Sequence, residues 1–296
     1  MLIDRLAVIG VGLIGGSLAR ALRKKNKCGS VIGFGRDKRK LQRAVELNVI
    51  DDFSQDIKRV VREATVIVLA TPLSTTRQLF IEMLPHLRSD VIITDVGSVK
   101  GYVVDVAREV LQEHLPYFVP GHPIAGTEKS GVEASFAELF ESHRVILTPL
   151  AESNIHAIQL VTQMWEATGA EIIHLEVEHH DEILAATSHL PHMLAYSLVD
   201  CLSTMQNSKE VFQFAAGGFA DFTRIASSHP TMWQDICMAN REQLLKALDR
   251  FNQHTGLLRT AIENNDGQAL LDIFSRAKQA RDRFTDNRDK GSEAAE

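Results

Sequence analysis

The sequence predicts a doubly wound, mainly parallel α/β sheet followed by an all-α domain, on three observations. Short β-branched runs alternate with amphipathic stretches through the first half of the chain. A glycine-rich turn, Gly10-Val11-Gly12-Leu13-Ile14-Gly15, stands directly behind the first of these runs. After about residue 177 the β-branched runs cease and long helical patterns take over.

Taken in order, residues 6–9, 31–34, 66–70, 91–94 and 145–147 read as buried parallel strands, each being apolar on both faces. Between them, 16–25, 38–47 and 75–87 carry helical spacing. Residues 154–168 read as a further helix with Gly169 as its stop, and 171–175 as a last strand. From 177 to 284, pieces such as Met193-Leu194-Ala195 and Leu244-Leu245-Lys246-Ala247-Leu248 are helical. The expected division is a sheet domain over 1–172, a helical domain over 173–285 and a polar, disordered tail over 286–296.

A chain of 296 residues is long enough for two such domains with a core in each. Its net charge of -6, with both signs mixed, argues against a nucleic-acid partner, which calls for a basic stripe. Cys28, Cys201 and Cys237 are odd in number and far apart, which suits neither a disulfide framework nor a CxxC metal site and points to a reducing cytoplasm. No apolar run approaches the ~20 residues that span a bilayer, so no membrane partner is expected. The first five residues run straight into a strand, leaving no room for a signal peptide. His179, His180, Asp181, His189 and His192 lack the spacing of a zinc site, so no metal is expected. His179 and His180 are expected at a solvated helix start.

The glycine turn sits where a first βαβ unit places a dinucleotide, and this makes the sheet domain Rossmann-type. Gly10 makes the tight turn, Gly12 lets the backbone approach the pyrophosphate, and Gly15 lets helix and strand pack closely. The helix N-terminus adds free N–H groups and a partial positive charge. Gly10, Gly12, Leu13, Ile14 and Gly15 are therefore assigned to the cofactor, together with Thr71 and Pro72 behind the run ending at Ala70. The second strand ends in Gly33-Phe34-Gly35-Arg36-Asp37. Gly35 stands where an NAD-selective fold carries an acid, and Arg36 suits a 2′-phosphate. Gly35 and Arg36 thus lean the expectation for NAD(P) toward NADP. The alternative is that Asp37 reaches back to the ribose while Arg36 stacks on adenine.

Two polar segments follow strands of the sheet. They are Thr94-Asp95-Val96-Gly97-Ser98-Val99-Lys100 and Pro120-Gly121-His122-Pro123-Ile124-Ala125-Gly126-Thr127. Ligands of open α/β sheets bind beyond the carboxyl ends of strands, so both segments point at the nicotinamide end. His122 is a candidate base, since an imidazole titrates near working pH; the alternative is a turn histidine bonded to backbone.

Gly121-His122-Pro123-Ile124-Ala125-Gly126-Thr127-Glu128 strongly resembles a motif of the prephenate and arogenate dehydrogenases of tyrosine biosynthesis. The resemblance continues at Asp95-Val96-Gly97-Ser98-Val99-Lys100, at Ser188-His189-Leu190-Pro191-His192, along residues 217–226 and at Pro230-Thr231-Met232-Trp233. It implies an oxidative decarboxylation in which hydride leaves C4 of a cyclohexadienol for the nicotinamide, carbon dioxide leaves C1, and the ring becomes aromatic. It places the catalytic histidine on His122, with Ser98 hydrogen-bonded to the 4-hydroxyl or to that histidine. Arg224 falls on an arginine that binds a substrate carboxylate, a bidentate task suited to a guanidinium fork. Ser188 and His192 fall on pocket residues of the helical domain, four apart and so on one helical face, with Pro191 kinking that helix or starting it. Thr127, Gly217 and Trp233 fall on further pocket positions.

Ala220 departs from the basic residue many members carry there, so no carboxylate contact transfers to it. The resemblance also implies a homodimer through the helical domain. Neither an appended ACT domain nor a fused mutase is expected. Two rivals share a dinucleotide fold: a β-hydroxyacid dehydrogenase, which needs a catalytic lysine on a second-domain helix, and a non-catalytic dinucleotide sensor.

Overall fold

The computed structural model describes residues 1–127 and 129–293 of the chain, with side chains as far as residue 286. Glu128 of the resembling motif lies outside the described residues. Contacts divide the chain into two compact units, Met1–Leu244 and Leu245–Glu296.

The first unit opens with β1 (Ile3–Ile9), α1 (Leu13–Lys24), β2 (Cys28–Phe34), α2 (Lys38–Glu46), β3 (Asp52–Ser54) and α3 (Ile57–Arg62). It continues with β4 (Val66–Leu69), α4 (Thr76–Met83), β5 (Ile92–Asp95), α5 (Lys100–Val110) and β6 (Phe118–Val119). These six strands form one parallel sheet in the order β3-β2-β1-β4-β5-β6. The order reverses between β1 and β4, and the crevice beyond their carboxyl ends is where such sheets bind ligands.

Both faces of the sheet are covered, which is why its central strands are uninterrupted apolar runs. Strand alternation splits them between two cores. Leu6, Val8, Val66 and Val68 pack with Leu18 and Leu22 of α1 and Leu41 of α2. Ala7, Ile9, Ile67 and Leu69 pack with Val60 of α3, Phe80 of α4 and Val103 of α5.

The expectation that residues 145–147 join the parallel sheet is corrected. Pro120 has no N–H for a ladder and ends β6 after two residues. The chain then starts a separate three-stranded sheet, with β7 (Gly121–Ile124) antiparallel to β8 (Arg144–Leu147) and β8 parallel to β9 (Glu171–His174). Between β8 and β9 runs α6 (Ile155–Glu166), capped by Asn154 Oδ1 on the N–H groups of His156 and Ala157. Gly169, with φ +87°, turns the chain behind it.

Helices then take over: α7 (Val177–Leu184), one π turn over Ala185–His189, α8 (Leu190–Ser203), α9 (Ser208–Gln213), α10 (Gly217–Thr223) and α11 (Pro230–Ala239). Trp233 and Ile236 of α11 pack into the core beneath α4 and α5. Helix α12 (Arg241–Glu263) crosses the boundary of the units at Leu244. In the second unit it turns through Asn265, at φ +53°, into α13 (Gly267–Glu293). Asp266 Oδ1 caps that helix on the N–H of Ala269. The polar segment from 286, expected as a tail, continues α13 to Glu293, because it holds no proline to stop a helix that gains one hydrogen bond per added residue. Residues 294–296 lie outside the described residues. Among the described residues no helix is long and apolar enough to cross a membrane.

Candidate active site

The dinucleotide end is built by the turn behind β1. Gly10 has φ +99°, and a Cβ there would lie 2.4 Å from the Ala70 carbonyl oxygen behind β4. A Cβ on Gly15 would lie 2.5 Å from the Gly10 carbonyl oxygen. A Cβ on Gly12 would meet nothing within 4 Å, so open space faces the N-terminus of α1. That terminus has no side-chain cap and no acid in its first turn, leaving its N–H groups and partial positive charge for an anion. These features fit a pyrophosphate. Leu13 and Ile14 are half-buried at the head of α1, and Thr71 and exposed Pro72 follow β4 across the same crevice.

At the end of β2, Asp37 Oδ1 accepts the N–H groups of Arg39 and Lys40 at 2.9 and 3.3 Å and so caps α2. Gln55 Nε2 donates to the Arg36 carbonyl at 2.7 Å, and the Arg36 side chain is exposed. A Cβ on Gly35 would make only ordinary contact with Leu41, so packing alone does not demand glycine there.

The reaction end hangs on a buried ion pair absent from the sequence-derived site. Asp95 ends β5, and its Oδ2 accepts from the Gly97 N–H at 2.7 Å and from Lys100 Nζ at 2.5 Å. Lys100 is fully buried and also donates to the Gly121 carbonyl at 2.6 Å, while the Gly121 N–H donates to Asp95 Oδ1 at 3.2 Å. Burial lowers the Lys100 pKa and Asp95 opposes the fall. The pair thus ties the loop carrying Ser98 to the strand carrying His122. Removing one partner of such a pair costs about 3–5 kcal/mol.

His122 stands on β7 and is buried. Its Nδ1 lies 2.9 Å from Nε2 of His180, whose Nδ1 lies 2.7 Å from Asp181 Oδ1. Asp181 in turn accepts from the backbone N–H of Lys100 at 2.8 Å on Oδ1 and from that of Gly101 at 2.8 Å on Oδ2. The expectation of a solvated His179–His180 pair is corrected for His180, which is completely buried; helical periodicity turns His180, Asp181 and Leu184 inward. His179 is exposed beside Glu182. Burial first, then His180, Lys100 and His189, hold the His122 pKa well below the ordinary 6.5. Burial also lowers that of His180, with Asp181 pulling the other way. Ser98 is half-buried, and among the described residues no hydrogen bond joins it to His122. Of its two expected partners, the histidine has His180 on Nδ1 instead.

The helical wall is formed where the π turn meets α8. Pro191 sits in the first turn of α8, where its missing N–H is tolerated. Ser188 and His192 therefore straddle a π-to-α junction rather than one continuous α-helix. They still meet: His192 Nδ1 donates to the Ser188 carbonyl at 2.8 Å. The His192 ring stacks on Trp233 with centroids 3.7 Å apart and planes 22° apart. Burial lowers the His192 pKa, the Ser188 carbonyl opposes, and the charge of Arg224 lowers it further; Arg224 is exposed, and among the described residues no hydrogen bond ties it to this cluster.

His189, buried beside Trp233, contacts Asn240 Nδ2 through Nδ1 at 3.2 Å, and burial pushes its pKa down to about 4. His189 Nε2 and Trp233 Nε1 are buried without a partner among the described residues. Thr127 and Gly217 are exposed, and no hydrogen bond ties either to the cluster among the described residues. Sequence reasoning missed Lys100, Asp95, His180, Asp181 and Asn240. Asp95 and Lys100 stood in the polar segment behind β5 without an assigned role, and the adjacent His180-Asp181 had been weighed as part of a metal ligand set, with His180 placed at a solvated helix start.

The chain matches two family models, the prephenate dehydrogenase nucleotide-binding domain over residues 18–174 and the prephenate dehydrogenase dimerization domain over 176–276. It is 41% identical to the cyclohexadienyl dehydrogenase of Zymomonas mobilis over 278 residues, covering 93% of this chain and 94% of that one. The prephenate dehydrogenase of Aquifex aeolicus in complex with hydroxyphenyl propionate and NAD+ superposes with a TM-score of 0.89 at 35% identity, covering 95% of this chain and 98% of that one. The Synechocystis arogenate dehydrogenase gives a TM-score of 0.80 at 29% identity, covering 95% and 99%. With a Rossmann-type sheet domain, a helical domain behind it and both family models matched in order, the chain belongs to the prephenate/cyclohexadienyl dehydrogenase family.

Proposed function

We propose that the chain catalyses the NAD(P)-dependent oxidative decarboxylation of prephenate to 4-hydroxyphenylpyruvate, of arogenate to tyrosine, or of both. The observation that carries this is His122: buried at the reaction end, held below its ordinary pKa and hence neutral near pH 7, as a general base must be. The three relatives named above act, by their names, on cyclohexadienyl compounds, prephenate or arogenate.

When bound, the nicotinamide supplies the acceptor for the hydride that leaves C4. His122 takes the proton of the 4-hydroxyl as that hydride departs. The bond from C1 to its carboxylate then breaks, its electron pair enters the ring, and the proton returns from His122 to the phenolate oxygen. Ser98, on the loop tied down by Lys100 and Asp95, orients the hydroxyl. Arg224 binds a carboxylate, and Ser188, His192 and Trp233 wall the ring from the helical side. Thr127 and Gly217 contribute at the pocket mouth. Ala220 supplies no cation, so the side chain that separates prephenate from arogenate is read by other groups.

Gly10, Gly12, Leu13, Ile14, Gly15, Thr71 and Pro72 hold the dinucleotide. The lean toward NADP gains support from Asp37, whose Oδ1 is occupied in capping α2 while Gly35 and Arg36 remain at the ribose position. The helical domain pairs two copies of the chain.

The test incubates purified protein with prephenate or arogenate and each of NAD+ and NADP+, following reduced-nicotinamide absorbance. Turnover with at least one substrate is expected, with NADP+ the faster oxidant. Absence of turnover in all four arms rejects the function.

A further inference from the structure

The hydrogen-bond chain behind His122 leaves little choice of proton positions. Asp181 faces three donors. The backbone N–H groups of Lys100 and Gly101 can only donate, and they reach its two oxygens at 2.8 Å each. They are the leading amides of α5, eleven residues long, so the Asp181 carboxylate caps that helix from another element with both of its oxygens engaged as acceptors. An ionised carboxylate accepts only, so the proton in the 2.7 Å contact with His180 sits on His180 Nδ1. A neutral His180 then presents a lone pair at Nε2, and His122, 2.9 Å away, must donate from Nδ1. The lone pair of His122 is thereby left on Nε2, the nitrogen that points away from the relay.

We infer that His180 and Asp181 are positioning residues that set the tautomer of His122, making its Nε2 the base that receives the substrate proton. The inference rests on the function proposed above. It extends the logic by which a buried carboxylate holds an imidazole in its working tautomer, with a second imidazole inserted between them.

Three further features suit this role. A Cβ on Gly101 would come within 2.8 Å of Asp181 Oδ2, so glycine is the residue that admits the cap. Asn240 Nδ2 donates to the Asp181 carbonyl at 2.8 Å and steadies its backbone. His180 is fully enclosed, so no solvent competes for either ring nitrogen. Asp181 joins α7 to both halves of the reaction end, through His180 to β7 and through its cap to the loop of Ser98.

The test reads the tautomer directly, by histidine ¹⁵N spectra of the full chain, with the His122 signals assigned by their loss in His122→Asn. At neutral pH we expect Nδ1 of His122 to be protonated and Nε2 to be bare; a proton on Nε2 overturns the inference. His180→Phe should lower kcat by about 10²-fold while binding of reduced dinucleotide, followed by fluorescence, is unchanged. His180→Gln, whose amide oxygen can accept from Nδ1, should recover part of that loss. An unaltered kcat in His180→Phe overturns the positioning role, and the wild-type spectrum decides the tautomer should that variant not fold. Absence of wild-type turnover is seen in the assay above and leaves the spectrum readable, so failure of the function and failure of the inference are distinct.

Discussion

His122 is enclosed by Lys100, His180 and His189, each of which disfavours another positive charge, and burial adds the largest penalty. A base with a lowered pKa stays unprotonated further into acid. The kcat/KM of the wild type should therefore stay level as pH falls through 6.5 and decline only below it. A pH–rate profile with its acid limb at or above that value contradicts the assignment of His122 as base. His122→Asn should cut kcat by ~10²–10⁴-fold, the span of a lost general base, and near wild-type turnover would remove it from the mechanism. His122 could be proposed from the sequence because it lies in a motif of consecutive residues. His180 could not, because its meaning comes from a ring 58 positions away.

Among the elements, the turn between β1 and α1 is the most tightly determined. Gly10 combines a left-handed φ of +99° with a neighbouring strand so close that a Cβ would lie 2.4 Å from a carbonyl oxygen. Gly10→Ala should lower stability by roughly 1–3 kcal/mol and weaken dinucleotide binding, as read by urea unfolding and fluorescence titration. Unchanged values for both would show that the turn relaxes freely. The first βαβ units were readable because period-2 and period-3.6 patterns run long enough to register. Strands β6 and β7, two and four residues long and separated by Pro120, are too short for any period. The π turn at Ala185–His189 has no sequence signature of its own, and Pro191 marked only that something irregular lay nearby.

On the scale of the molecule, the helices behind the sheet leave apolar surface uncovered. Met193, Tyr196, Pro230, Trp233, Gln234 and Cys237 line a groove of about 340 Å³, and Phe222, Met232 and Met238 stand exposed on α10 and α11. Apolar area of this kind is costly to leave in water and is a common mark of an interface. Sedimentation velocity at micromolar concentration should therefore show a homodimer, and a monomer would contradict the proposed pairing. The groove shares Trp233 with the His192 stack, so a mate seated there would press on the wall of the site.

The sequence by itself determined the two-part architecture and the glycine turn, and it put forward His122, Ser98 and Arg224 as candidates. Each of these rests on neighbours along the chain, where residue type and spacing already carry the physics. Tertiary structure alone decided that His180 and Asp181 stand behind His122, that Lys100 pairs with Asp95, and that residues 145–147 leave the main sheet. Those outcomes depend on which buried donors find acceptors among residues from distant elements. Burial makes it costly to leave such groups unpaired, but only the folded chain selects the partner.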